Sequence, residues 1–224
     1  NYHNDILIED YSVFNDWKEE ERLAKRGFLF SFVVSINDLI ISEPPGYDEE
    51  LAEATFASYE SQSIPEERKV NVVFHMLESF SDLSAVGLEF DSDPYALWHS
   101  LEEESYHGVL ISDILGGGTN NAERSVMTGF TFPHPGYNMT TNSHVHYFRA
   151  NGYFTQAIHP GDEWFYDRSV IDRRLGFDEV LLNQNFFKNY EGGPFGADSV
   201  VLPLLREQYE KHSKDGQAYF GFHV

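Results

Sequence analysis

Residues 71–84 read NVVFHMLESFSDLS, an apolar, Val- and Phe-rich run that stops abruptly at an acidic and hydroxylic turn. The run is suited to a buried strand, and its carboxyl end delivers Glu78, Ser79, Ser81 and Asp82 into the turn. Working outward, runs of the same kind recur in HGVLISDIL (107–115), YFTQAIH (153–159) and AYFGFHV (218–224). Helical segments are expected between them, near 120–129, 142–151, 165–175 and 198–213. Such alternation predicts an α/β fold with a mostly parallel central sheet covered on both faces by helices. Functional groups then collect at the carboxyl ends of the strands. AYFGFHV runs straight into the last residue, so an incomplete domain is expected.

Upstream of Val70 the character changes. DWKEEERLAKRGFLFSF (16–32) and DEELAEATFASYES (48–61) read as two helices separated by the Pro44-Pro45-Gly46 break. Asn15 or Asp16 is placed to cap the first. Asp48 is placed to cap the second, with Glu49 and Glu50 in its dipole-favoured first turn. The division expected is a helical segment over 1–69 and a domain of alternating strands and helices over 70–224. The longest apolar stretch, GFLFSFVVSI (27–36), is about half of the roughly 20 residues a bilayer-spanning helix needs.

Composition narrows the chemistry. The chain has 224 residues, 41% of them hydrophobic, enough for one sizeable core. Its 37 acidic and 15 basic residues give a formal net charge of -22, which disfavours nucleic acid and any general polyanion surface. An anionic substrate would need a metal ion or a pocket arginine as its local cation. With no cysteine, disulfides, Cys-based zinc sites and thiol nucleophiles are excluded.

Three constellations could carry chemistry. Glu78 at a strand end is placed to bind a cation, or it is simply a helix-start residue favoured by the local dipole. In SDILGGGTNNAERSVMTGF (112–130), Gly116 to Gly118 permit close backbone approach, and Thr119 opens a helix where free N–H groups favour an anionic oxygen. The Thr119 hydroxyl is a candidate nucleophile if a metal lowers its pKa, and Glu78 is the candidate to hold that metal. Alternatively, Thr119 is only an N-cap. In GYFTQAIHPGDEWFYDRSVIDRRLGFDEV (152–180), a strand ends at His159, and Arg168 follows the aromatic triplet Trp164, Phe165 and Tyr166. Arg168 could grip a phosphate and the aromatics could wall a polyol pocket. The packing alternative puts the aromatics in the core and pairs Arg168 with Asp172. His144 and His146, two apart in a helix-like run, do not share a helix face and read as surface or packing residues.

Taken together and in this order, the three motifs resemble the lipoteichoic acid synthase family of phosphoglycerol transferases, a branch of the sulfatase and alkaline phosphatase superfamily. The match covers residues 70–224. The resemblance implies an alkaline phosphatase/sulfatase-like fold with Glu78 and Thr119 as ligands of a divalent metal, Mn²⁺ or else Mg²⁺, and Thr119 as nucleophile. It also implies that Arg168, Tyr166 and His159 bind the substrate. Glu123 falls where the family keeps a glutamate, while Arg124 replaces a residue that is more often aromatic. The activity implied is transfer of phosphoglycerol from a phosphatidylglycerol-like lipid to an acceptor hydroxyl through a phosphothreonine-type intermediate. The partners implied are an anionic glycerophospholipid head group, an acceptor glycan or polyglycerolphosphate, and a membrane tether upstream, on the outer face of a bacterial cell membrane. The family's remaining ligands, an Asp-His pair and another histidine, come from the second half of its domain, and His223 lacks their sequence context. This chain by itself is therefore expected to be inactive unless the missing half is supplied. A phosphodiesterase or sulfatase-like hydrolase with the same site, and a non-catalytic binding module, are the alternatives.

Overall fold

The computed structural model describes residues 27–39, 45–59, 62–78, 80–111, 119–130, 142–190 and 197–224. The chain divides between residues 60 and 61 into two units.

The first unit contains α1 (Phe28–Leu39) and α2 (Glu49–Ser58). The Asp48 carboxylate accepts from the Leu51 N–H at 2.9 Å, the expected N-cap, with Glu49 and Glu50 in the first turn. The expected cap at Asn15 or Asp16 lies outside the described residues. Among those residues no helix is long and apolar enough to cross a membrane.

The second unit is built on four parallel strands, β1 (Val72–His75), β2 (Phe154–Ile158), β3 (Glu179–Leu181) and β4 (Tyr219–His223), in the order β1-β4-β2-β3. Its helices are α3 (Ala96–Glu104), α4 (Thr119–Thr128), α5 (His144–Ala150), α6 (Arg168–Leu175) and α7 (Asp198–His212). β4 bonds to β1 on one side and β2 on the other, and all five of its residues are buried. Side chains alternate across the sheet. On one face Ala157, Val180, Phe220 and Phe222 pack with Met127, Val145, Ile171 and Leu175. On the other, Ile158 and Leu181 pack with Val201, Leu204 and Leu205 of α7. This is the α/β architecture that the alternating runs predict.

Two details depart from the sequence reading. β3 is a strand that the apolar runs do not announce. Within HGVLISDIL, residues 107–111 form no strand and Val109, Leu110 and Ile111 are exposed; the rest of that run lies outside the described residues. His144 and His146 behave as expected. His144 is exposed, and the His146 ring meets the Arg174 carbonyl through Nε2 at 3.1 Å.

Candidate active site

β1, β2 and β4 end on the same side of the sheet, and the segments leaving them build a cavity of about 480 Å³. Pairing continues past β1 through the Met76 N–H, which donates to the His223 carbonyl at 2.8 Å. Two residues on, the exposed Glu78 lines the cavity with His75, His159, Pro160 and Asp198. Ser79 lies outside the described residues.

His159 follows β2 and is buried, its backbone N–H donating to the Leu181 carbonyl at 3.0 Å. Its Nδ1 accepts from the Gly161 N–H at 2.8 Å, which places the proton of the neutral ring on Nε2. Burial, and then the charge of Arg168, push its pKa down to about 3, so the ring is neutral near pH 7 and acts there as a donor.

Thr119 is the first residue of α4 and is half-buried. Glu123, one turn on and on the same helix face, is buried. Its carboxylate takes a two-pronged bond from Arg168, Nη1 to Oε2 at 2.6 Å and Nη2 to Oε1 at 2.8 Å. Arg168 is the first residue of α6 and is only 5% exposed. The buried Nε–H of Arg168 has no partner among the described residues. Burial works against the guanidinium charge, but the bonds and charge of Glu123 outweigh it, and the pKa is raised. Arg168 therefore pairs with Glu123, 45 positions away, and not with Asp172, four away on its own helix. The Asp172 carboxyl is pushed up to about 7 by burial, with the charge of Arg168 opposing the shift. Asn120, Glu123, Arg124, Arg168 and Asp172 border a cavity of about 10 Å³, roughly room for one water.

The turn before α6 is strained. Tyr166 and Asp167 both adopt left-handed backbone, at φ 59° and 53°, a conformation costing a non-glycine residue of order 1–3 kcal/mol. Arg124 holds this turn, its Nη2 donating to the Tyr166 carbonyl at 2.7 Å. Arg124, on α4, thereby ties that helix to the turn before α6. Tyr166 is half-buried and its ring packs at a tilt against Phe165, with ring centroids 4.2 Å apart, while Trp164 is exposed, so the triplet does not enter the core. Burial first, and then the charge of Glu78, raise the Tyr166 pKa, so Tyr166 lies in the field of Glu78.

The structure thus brings Glu78 and His159 to one cavity and couples Tyr166 electrostatically to Glu78. It joins the helix headed by Thr119 to Arg168. Gly116 to Gly118 lie outside the described residues. Sequence reasoning missed Asp198 and His75, which line the same cavity; Asp198 is legible only as a first-turn residue of an expected helix. As donors for a metal, Glu78 and Thr119 offer one carboxylate and one hydroxyl oxygen, a hard set that fits Mn²⁺ or Mg²⁺. Among the described residues no group of three or more His, Cys, Asp or Glu could hold a metal.

The sulfatase family model matches residues 70–223. A protein of Rhizobium meliloti (strain 1021), provisionally named a cyclic beta-1,2-glucan modification protein, is 25% identical over 205 residues, covering 87% of this chain and 32% of its own. The fold is similar to that of the phosphoglycerol transferase GacH of Streptococcus pyogenes, solved in complex with sn-glycerol-1-phosphate. Its TM-score is 0.62 at 18% identity, over 82% of this chain and 53% of that one. It is also similar to that of the lipoteichoic acid synthase LtaP of Listeria monocytogenes, with a TM-score of 0.55 at 20% identity, over 69% of this chain and 40% of that one. The chain therefore spans about a third of the length of the curated relative and about half or less of the solved chains.

Proposed function

The chain belongs to the sulfatase family, and on that premise we propose that it carries the nucleophile-bearing part of a metal-dependent phosphoglycerol transferase. The observation that supports this reading most is the shared cavity at the carboxyl rim of the sheet. It is lined by Glu78 and His159, and the charge of Glu78 also reaches Tyr166. Beside it, the helix opened by Thr119 is locked to Arg168 through Glu123.

Glu78 and Thr119 would hold the divalent ion, Mn²⁺ or Mg²⁺, with further ligands from outside this chain. When bound, the ion lowers the pKa of the Thr119 hydroxyl and offsets negative charge on the phosphate. The Thr119 oxygen attacks the phosphorus of an anionic glycerophospholipid. A Thr119 O–P bond forms, the P–O bond to diacylglycerol breaks, and the proton lost by Thr119 ends on the departing diacylglycerol oxygen. An acceptor hydroxyl then attacks the phosphoglyceryl-threonine, giving its proton back to the Thr119 oxygen. His159 offers an Nε2–H and Tyr166 a phenol to the phosphoglycerol oxygens. Arg168, fixed by Glu123, contributes its positive field and its remaining Nε–H. The active site faces the outside of a cell membrane through a tether upstream of the enzyme domain.

The relative named for cyclic beta-1,2-glucan modification favours a glycan hydroxyl over polyglycerolphosphate as acceptor. Water in the acceptor's place would make the same site a phosphodiesterase. The test uses the longest natural polypeptide containing this chain, supplied with Mn²⁺ and phosphatidylglycerol. Diacylglycerol is released, and Thr119→Ala abolishes the release. Phosphoglycerol appears on an added cyclic glucan if transfer is correct, and as free glycerol phosphate if hydrolysis is. Equal release by wild type and Thr119→Ala overturns the proposal.

A further inference from the structure

The α7-facing side of the sheet carries a line of polar groups, buried at Gln156, Tyr219 and His223 and half-buried at Glu179, that the transfer reaction does not use. Gln156 Nε2 donates to Glu179 Oε2 at 2.6 Å, which turns Gln156 Oε1 toward Tyr219. The single hydroxyl proton of Tyr219 goes to that oxygen at 2.7 Å. The Tyr219 oxygen, 3.2 Å from His223 Nε2, must then accept, so Nε2 carries the proton of the neutral His223 ring and Nδ1 carries a lone pair. The tautomer is set by a chain of bonds that ends on a carboxylate.

Gly221 makes this possible. A Cβ there would lie 2.6 Å from the Tyr219 hydroxyl oxygen and 2.8 Å from His223 Nε2, so only glycine lets the phenol lie along the strand to the imidazole. His75 is the register partner of His223 on the neighbouring parallel strand and shares its face, with ring centroids 6.0 Å apart and planes at 87°. His75 is exposed, and among the described residues no hydrogen bond ties its ring, so the side chain can swing about its Cα–Cβ bond. Both rings line an open cavity of about 410 Å³ with Asn71, Arg206 and Tyr209. The charge of Arg206 is paired with Glu210 at 2.8 Å.

We propose that His75 and His223 form a two-imidazole site for a late first-row divalent ion, Zn²⁺, Ni²⁺ or Cu²⁺, separate from the oxygen-donor pair Glu78 and Thr119. A metal-binding histidine characteristically gives its second ring N–H to a fixed acceptor, which sets the tautomer and raises ligand basicity; Tyr219, backed by Gln156 and Glu179, is that acceptor for His223. Imidazole nitrogens select zinc, nickel and copper, whereas carboxylate and hydroxyl oxygens suit manganese and magnesium, so the two sites differ in ion although His75 also borders the cavity of Glu78. Water fills the other coordination positions of the histidine site. This inference does not depend on phosphoglycerol transfer.

Cu²⁺ is titrated into the chain, with electron paramagnetic resonance reporting nitrogen coupling and calorimetry reporting stoichiometry. The wild type binds one ion with two coupled imidazole nitrogens. His75→Gln, an exposed substitution that leaves the fold intact by circular dichroism, removes that ion or its two-nitrogen signature. Glu78→Gln combined with Thr119→Ala retains both, and excess Mn²⁺ does not displace the ion. Tyr219→Phe keeps the ion but weakens it by about 10- to 100-fold, the usual cost of losing an outer-shell partner. An unchanged signature in His75→Gln, its loss in the Glu78/Thr119 variant, or no two-nitrogen copper in the wild type overturns the inference.

Discussion

Breaking the buried Arg168–Glu123 pair should cost this fold several kcal/mol. Both side chains are 6% exposed, and both Nη atoms are committed to the two carboxylate oxygens. Glu123→Ala leaves a guanidinium that already has one unpartnered Nε–H buried beside a cavity of about 10 Å³, too small to admit a hydration shell. Removing one partner of such a pair costs about 3–5 kcal/mol, because the other charge is stranded. For a chain of this size each kcal/mol lowers the melting temperature by roughly 2–4 °C, so a drop of about 6–20 °C is expected. Replacing both partners by apolar residues of similar volume, Glu123→Leu with Arg168→Met, removes the stranded charge and returns most of the loss. Circular dichroism melts and urea titrations of the three proteins measure this. The reasoning is refuted if Glu123→Ala lies within about 0.5 kcal/mol of wild type, or if the double variant is no more stable than the single.

Two further outcomes follow from named contacts. His99 binds Asp82 through Nε2 at 2.8 Å and Asp93 through Nδ1 at 2.9 Å, and these two bonds, Asp82 first, raise its pKa to about 9. A raised histidine pKa stabilises fully below about 6.5, and the contribution disappears as pH rises through about 9. An NMR titration of the His99 ring should give a midpoint near 9, falling toward the ordinary histidine value in Asp82→Asn; a wild-type midpoint near 6.5 contradicts the contact. At Gly176, which closes α6 at φ +107°, an added Cβ would meet the His146 ring at 2.7 Å. Gly176→Ala should therefore cost more than about 1 kcal/mol, read as a lower urea midpoint, and an unchanged midpoint contradicts it.

What could be read in the sequence was what is local. Val72–His75, Phe154–Ile158 and Tyr219–His223 announce themselves as short apolar runs between helical segments, and the Asp48 cap follows from one residue and its neighbours. β3 escapes because Glu179–Leu181 is three residues long, too short for a period to register, and is held by pairing with β2. The partner of Arg168 escapes for the opposite reason: helical spacing suggests Asp172, while packing of α4 against the start of α6 delivers Glu123. Arg124, which departs from the resemblance, braces the left-handed turn at Tyr166, a contact no local pattern carries. The tautomer of His223 depends on four side chains from three strands, Glu179, Gln156, Tyr219 and His223, and on the bare Cα of Gly221. No linear motif encodes it.

The strand order has a temporal meaning. β1 and β2 are both made before β4, yet each is bonded to β4 and not to the other. During synthesis β2 can pair with β3 on one edge, but its other edge and the edge of β1 that β4 will cover stay open until residues 219–223 emerge, and the centre of the sheet closes only then. Such long-range closure is slow and exposes sticky surface meanwhile. A ribosome-stalled chain that stops short of Tyr219 should therefore be the species that chaperones hold longest.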